Sequence, residues 1–269
     1  MAWLFVLLQR LLPQHGLSRL VGRIGNAKSG WIRRPLIGVF IRTFGVDMSE
    51  AANPSPSSYP TFNAFFTRQL RPDARPVTGS VSSPADGTVS MAGTIQTTQL
   101  LQAKNINYSL EKLLAGPESG RYRDGSFCTV YLSPRDYHRV HMPIEGTLES
   151  ARYVPGKLFS VNGATTRYVS DLFAANERLV MHFDTPMGPM AVVMVGAMIV
   201  AGIKTVWREL PYTARQPLDE TFDIPQQFVQ GAELGHFEMG STVIVVLRER
   251  VDWLPASGDM VRMGQPLVN

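Results

Sequence analysis

Gly240-Ser241-Thr242-Val243-Ile244-Val245-Val246-Leu247 decides how the chain is read. β-Branched side chains are stiff and pack well on a pleated surface, so Thr242 to Leu247 is expected as a buried strand. Gly240 permits backbone angles that other residues resist. It sets a turn after Glu238-Met239 and leaves a hydroxyl, Ser241, at the mouth of the strand. Taken alone, a Gly-Ser pair ahead of a strand is an ordinary turn, and its meaning comes from the rest of the chain.

Outward from this strand, similar short apolar runs recur between Gly and Pro punctuation. They are Thr88 to Ile95, Phe127 to Leu132, Gly146 to Val154, Leu179 to Phe183, Met190 to Val195 and Met198 to Val206. Such spacing predicts a β-rich domain, with helical interruptions at Ser109 to Leu114 and Val169 to Asn176. The apolar Met190 to Ile203 stretch is broken by Gly196 and Gly202, which favours a pair of core strands over a membrane span. The fold class expected is therefore α+β, with a β-rich domain over 79–269. Ahead of it lie a Pro- and Ser-rich linker and a short helix over 51–78, the helix capped by Thr61. Residues 1–50 read as two or three helices, the first at Trp3 to Leu8.

The chain has 269 residues and a net charge of +4, but the charge is uneven. No acidic residue precedes Asp47, whereas Arg10, Arg19, Arg23, Lys28, Arg33, Arg34 and Arg42 all do. These cations alternate with Trp, Phe and Leu on segments too short to span a bilayer, the pattern of helices that lie in a membrane interface. A signal peptide is disfavoured because the apolar segment comes first and no small-residue cleavage site follows. Nucleic acid is disfavoured because the aromatics sit on apolar faces. The single cysteine, Cys128, lies in a strand-like run and excludes an internal disulfide framework. No Cys/His cluster has metal-site spacing, so no metal is expected.

Histidine is scarce, at five residues. Two of them, His138 and His141, share the polar stretch Ser133-Pro134-Arg135-Asp136-Tyr137-His138-Arg139-Val140-His141-Met142-Pro143. Histidine titrates near neutrality, so such a pair points to proton transfer. His15 is expected to be exposed, and His182 and His236 to be structural. Asp86, in Ser83-Pro84-Ala85-Asp86-Gly87, sits at a turn before a strand. With Ser241 and one histidine of the pair it could complete a Ser-His-Asp relay, although Ser241 lacks the Gly-x-Ser-x-Gly setting of a hydrolase elbow. The target of such a relay is not written in composition.

Four stretches together carry a resemblance. They are Pro84-Ala85-Asp86-Gly87, Leu132 through Pro143, Tyr153-Val154-Pro155-Gly156-Lys157-Leu158-Phe159-Ser160-Val161-Asn162, and Gly240-Ser241-Thr242. In these, and along nearly its whole length, the chain resembles the bacterial phosphatidylserine decarboxylase proenzymes, the pyruvoyl-dependent prokaryotic type I family. The family's usual Leu-Gly-Ser-Thr reads Met239-Gly240-Ser241-Thr242 here, a near-isovolume change.

The resemblance implies a lyase made as a self-cleaving zymogen. Asp86, His141 and Ser241 match the relay, through which the Ser241 hydroxyl attacks the Gly240 carbonyl. The chain then parts between Gly240 and Ser241 into a large β chain, 1–240, and a small α chain, 241–269, which stay associated. Ser241 becomes a covalent pyruvoyl group, the pyruvate cofactor. That group forms a Schiff base with the amine of phosphatidylserine, carbon dioxide leaves, and phosphatidylethanolamine results. His138 matches the candidate proton donor. A homodimer, an anionic membrane surface as partner, and peripheral attachment to the cytoplasmic face of the cell membrane are implied likewise. Two other readings compete: a Ser-His-Asp lipid hydrolase with an uncut chain, and a membrane-docked β-domain with no enzymatic role.

Overall fold

Long-range antiparallel pairing of β-branched runs organises the molecule. The computed structural model describes Leu7, Gln9 and residues 12–103, 106–161, 165–198, 202–213, 215–238 and 240–269; of Ser241 and a few other residues it describes the backbone alone. Helices α1 (Gln14–Gly25), α2 (Gly30–Phe44) and α3 (Phe62–Phe66) come first. Strands β1 (Val81–Ser82), β2 (Gly87–Thr94), β3 (Gln99–Ala103) and β4 (Ile106–Ser109) lead to α4 (Leu110–Leu114). Then come β5 (Ser126–Leu132), β6 (Arg139–His141), β7 (Gly146–Val154), α5 (Thr165–Tyr168), α6 (Leu172–Ala175), β8 (Arg178–Asp184) and β9 (Met190–Val195). The chain closes with β10 (Ile203–Thr205), β11 (Leu218–Phe228), β12 (Glu233–Phe237), β13 (Ser241–Leu247), β14 (Met260–Val261) and β15 (Pro266–Val268).

Eight strands form one antiparallel sheet in the order β11-β7-β8-β9-β13-β5-β2-β14. β13 is interior to it, paired with β5 on one side and β9 on the other. One sheet face packs on the three-stranded sheet β10-β12-β6, through Val130, Val243, Met194, Val140, Leu234 and Phe237. The opposite face packs on α4 and α6, through Val193, Ile244, Val246, Leu113, Leu172 and Phe173. The alternation of the two residue sets along β9 and β13 is the period of two that a sheet covered on both faces requires. Arg178 ties the helical layer down, donating to the carbonyls of Leu113, Ala174 and Asn176 at 2.6, 2.7 and 3.2 Å.

The expected α+β architecture is present, with differences of detail. Met190 to Ile203 leads from one core strand into another as expected, β9 lying in the large sheet and β10 in the small one. Within Val169 to Asn176 the helix is only α6, Leu172–Ala175, because Asp171 adopts a left-handed φ of 52° just before it and separates it from α5. Thr61 caps α3 by accepting from the Ala64 amide at 3.0 Å. The expected helix at Trp3 to Leu8, the change at Met239 and the last residue of the Tyr153–Asn162 stretch lie outside the described residues.

In α1 the burial runs opposite to hydrophobicity, and α2 packs one apolar side, Leu36, Ile37, Phe40 and Ile41, on the phenylalanines of α3 while exposing another. α1 buries Gln14, Ser18, Gly22 and Gly25 while Leu20 and Ile24 face outward. In α2 only Ile37 is buried, and Trp31 is 93% exposed, with Ile32, Val39 and Phe44 also outside. A polar side meets the protein because Gln9 and Gln14 place their carbonyls on the Ser160 and Leu158 amides, each at 2.8 Å. Among the described residues no helix is long and apolar enough to cross a membrane.

Candidate active site

The start of β13 and the loop between β5 and β6 are bound at both ends. Ser241 pairs with Leu132, where the loop begins, and the Phe237 amide donates to the His138 carbonyl, where it ends, at 3.1 Å. Within the loop, Asp136 folds the chain back by accepting from the Ser133 amide and hydroxyl, both at 2.7 Å. Gly240 has φ +36°, in the left-handed region. A Cβ there would meet nothing within 4 Å, so only the backbone strain speaks for glycine.

The two histidines differ in state. His141 is 8% exposed and both its nitrogens are engaged. Nδ1 lies 2.8 Å from the Gly231 carbonyl, which can only accept, so Nδ1 carries the proton. Nε2 then accepts from the Tyr137 hydroxyl at 3.0 Å. Burial lowers the His141 pKa, against the Gly231 carbonyl and the nearby Glu233 and Asp86 carboxylates, which favour the charged ring. His138 is fully buried under the Phe66 ring, with centroids 4.0 Å apart. Its Nδ1 donates to the Asp136 carbonyl at 2.7 Å, and its Nε2 has no hydrogen-bond partner among the described residues. Burial pushes its pKa down to about 3, so the ring is neutral with a bare lone pair at Nε2.

Asp86 is brought to the same region by the Pro84 carbonyl, which accepts from the His141 amide at 2.8 Å. Its carboxylate, however, is held by Arg75, at 3.0 and 2.6 Å, and by the Met263 amide at 2.8 Å. It makes no hydrogen bond to either histidine. Asp86 and His141 are therefore neighbours coupled through charge, without the direct contact that a Ser-His-Asp relay uses. Arg139 Nη1 donates to both carboxylate oxygens of Glu233, at 2.8 and 2.7 Å, and so ties β6 to β12.

Three side chains at this site carried no assignment from sequence. Tyr137 belongs to the loop motif, but its contact with His141 depends on the fold. Arg75 lies in an irregular stretch with no signal. Glu177 precedes β8 and is 7% exposed, with the Tyr153 hydroxyl donating to it at 3.2 Å. Burial pushes its carboxyl up to about 7. The other histidines fall as expected: His15 is exposed, His182 is buried in β8 with Nδ1 2.8 Å from the Tyr122 hydroxyl, and His236 lies in β12. Cys128 is buried in β5, its thiol pushed up to about 12, and is inert.

Buried titratable groups converging on the open end of a sheet are the marks of an enzyme. A family model described as phosphatidylserine decarboxylase matches residues 62–269, and a second, described as PSD, matches 4–45. The chain is 51% identical to a phosphatidylserine decarboxylase proenzyme of Alcanivorax borkumensis, over 91% of this chain and 88% of that one. It is 48% identical to a proenzyme of the same name from Ectopseudomonas mendocina, over 99% and 98%. With one from Azotobacter vinelandii it shares 49% identity over 98% and 97%. The chain belongs to the phosphatidylserine decarboxylase family.

Proposed function

We propose that this chain decarboxylates phosphatidylserine to phosphatidylethanolamine after cutting itself between Gly240 and Ser241. The observation that carries the proposal is the geometry at 240–241. A left-handed glycine delivers a serine into the central strand, at the foot of the loop that bears His138 and His141.

In the first stage the Ser241 hydroxyl attacks the Gly240 carbonyl carbon, and the amide becomes an ester. An unperturbed hydroxyl is a weak nucleophile and needs an adjacent base. His141 is assigned that role, which requires the Tyr137 hydroxyl to leave Nε2. Asp86 favours the imidazolium through its charge. Elimination then removes the Cα hydrogen of residue 241 as a proton and breaks its Cβ–Oγ bond, leaving a dehydrated residue and a carboxylate on Gly240. Hydrolysis of the dehydrated residue releases ammonia and leaves a pyruvoyl group at the new N-terminus. The group fits, because it is built from the carbons of Ser241 and a Cβ on the adjoining Gly240 would meet nothing within 4 Å.

When formed, the pyruvoyl carbonyl bonds the substrate amine and holds the electron pair that carbon dioxide leaves behind. The protein's own residues must orient the headgroup, exclude water and move one proton. His138, expected from resemblance as the donor, is neutral and unprotonated at Nε2 in this fold. It can give a proton only after taking one, so we assign its lone pair first as an acceptor for the substrate's ammonium. The outward apolar faces of α1 and α2, with Arg19, Arg23 and Arg34 exposed beside them, support peripheral binding to an anionic bilayer. The fragments are expected to stay together through the β13 ladders.

The test is the denatured mass of wild type beside Ser241→Ala, together with carbon dioxide release from phosphatidylserine vesicles. Two wild-type fragments, a whole variant and release by wild type alone are expected. An uncut wild type that still consumes lipid would move the reading to a hydrolase.

A further inference from the structure

Three strands meet beside position 241, and a buried carboxyl lies across them. Thr242 of β13 pairs with Val195 of β9, and Val195 pairs with Arg178 of β8. One register step further places Gly196 between position 241 and Glu177. The Gly196 amide indeed donates to the Glu177 carbonyl at 2.8 Å, continuing the ladder. At about 4.8 Å per strand, positions 177 and 241 are roughly 10 Å apart along the backbone.

The middle residue of the three has no side chain, and this leaves room for the Glu177 side chain to lie over it. A Cβ on Gly196 would lie 2.8 Å from Glu177 Cγ and 3.1 Å from Oε1, so the glutamate chain extends over this glycine. Position 241 has the parity of Val243 and Val245, which face the core shared with Met194 and Tyr153. Glu177 contacts that same core through the Tyr153 hydroxyl.

The charged groups around it leave the carboxyl without a cation. Tyr153 of β7 is its hydrogen-bond donor, and the Tyr212 ring stacks behind Tyr153. Lys157, whose carbonyl accepts from the Glu177 amide, has an exposed side chain. The neighbouring Arg178 guanidinium is spent on carbonyls in the helical layer on the other sheet face. Packing has therefore placed a carboxyl that favours its neutral form next to the residue where the cofactor is made.

We propose that Glu177 is a catalytic residue of the decarboxylation: its carboxyl, lying across Gly196 beside position 241, hands a proton to the substrate carbon from which carbon dioxide departs. The C–C bond to the leaving carboxylate breaks and its electron pair stays with the substrate. The O–H bond of Glu177 then breaks and a C–H bond forms at that carbon. Water restores the proton before the next turnover. Burial takes His138 down to about 3 and Glu177 up to about 7, so Glu177 carries a proton at and below neutrality where His138 Nε2 carries none, and such a divergence separates the acceptor from the acid. The inference rests on the decarboxylase reading above.

The experiment compares wild type, Glu177→Gln and Tyr153→Phe as full chains, with cleavage scored by mass before any assay. Glu177→Gln is expected to cleave normally and to lose 10²- to 10⁴-fold in kcat, about the worth of a general acid, with KM moving far less. Wild-type kcat should fall as pH rises through about 7, and this limb should vanish in Glu177→Gln. Tyr153→Phe removes a donor that favours the ionised carboxyl, so its limb should move to higher pH. In uncut Ser241→Ala, infrared spectra should show a protonated carboxyl band that titrates near neutrality and is absent from Ser241→Ala/Glu177→Gln. A cleaved Glu177→Gln with wild-type kcat, a limb unmoved by Tyr153→Phe, or no such band would overturn the assignment. A wild type that neither cleaves nor releases carbon dioxide would instead overturn the function itself.

Discussion

At the scale of single residues, the site is built from groups held in states that they would not choose in water. Gly240 is the mildest case. Gly240→Ala should cost about 1–2 kcal/mol in backbone strain, with no steric clash, since its surroundings are open. The expected result is slower self-cleavage, followed by mass over time, in a protein that still folds. Glu177 shows the opposite economy. Its folded pKa, about 7, exceeds the ordinary 4.5, so the stability tied to its neutral form is present below about 4.5 and lost as pH rises through 7. Glu177→Gln should therefore raise the melting temperature at about pH 8 and change it little at about pH 4, as calorimetry would show. The histidine pair stood out in the sequence because histidine is scarce and both lie in one polar motif, whereas Asp86 and Ser241 took their proposed roles from the resemblance. Glu177 was not, because its character comes from Tyr153 and Gly196, which only the folded sheet brings to it.

At the scale of elements, α1 inverts the usual rule. It buries glutamine, serine and glycine, and together with α2 it presents Leu20, Ile24, Trp31 and Ile32 to the outside. Replacing Leu20, Ile24 and Trp31 with serine should therefore weaken sedimentation with anionic vesicles at least tenfold while self-cleavage proceeds unchanged. A helix pair folded for the protein's own core would instead lose stability. α3 behaves as such a core element. Phe66 is buried between Phe40 and His138, and Phe66→Ala should cost about 3–5 kcal/mol by cavity formation. That loss would be read as a lower denaturation midpoint. The interior strands were plain in the sequence, since β5, β8, β9 and β13 are near-continuous apolar runs. β11 was not. It is an edge strand with alternating exposure, and its Asp219, Glu220, Asp223, Pro225, Gln226 and Gln227 leave no apolar run to mark it. The charge asymmetry that marked residues 1–46 predicted where a surface would be, but which helix face meets the protein was settled by Gln9 and Gln14 bonding to a distant loop.

At the scale of the whole molecule, three layers enclose three histidines in neutral form. Burial lowers His138 to about 3 and His182 to about 4, and lowers His141 as well. In the unfolded chain they take up protons near 6.5, so stability should fall as pH drops below that value. Melting temperatures of uncut Ser241→Ala should decline from about pH 6.5 to about pH 4, and His182→Gln should flatten the decline if the fold tolerates it. The layer order itself was beyond sequence reasoning, because β1 pairs with β15 and β2 with β14 from opposite ends of the chain. Those closures, together with β13 between β5 and β9, give the position of the proposed cut a further meaning. Before scission, folding is a search by one molecule, and its rate is independent of concentration. Afterwards the denatured state is two molecules, and the lighter one must reinsert as an interior strand between partners already inclined to pair with each other. The mature protein should then be a kinetic trap of its own making: renaturation after urea would become second order and incomplete, whereas Ser241→Ala would refold in full. Self-cutting here would create a reactive group and, in the same act, erase the instructions for making the fold again.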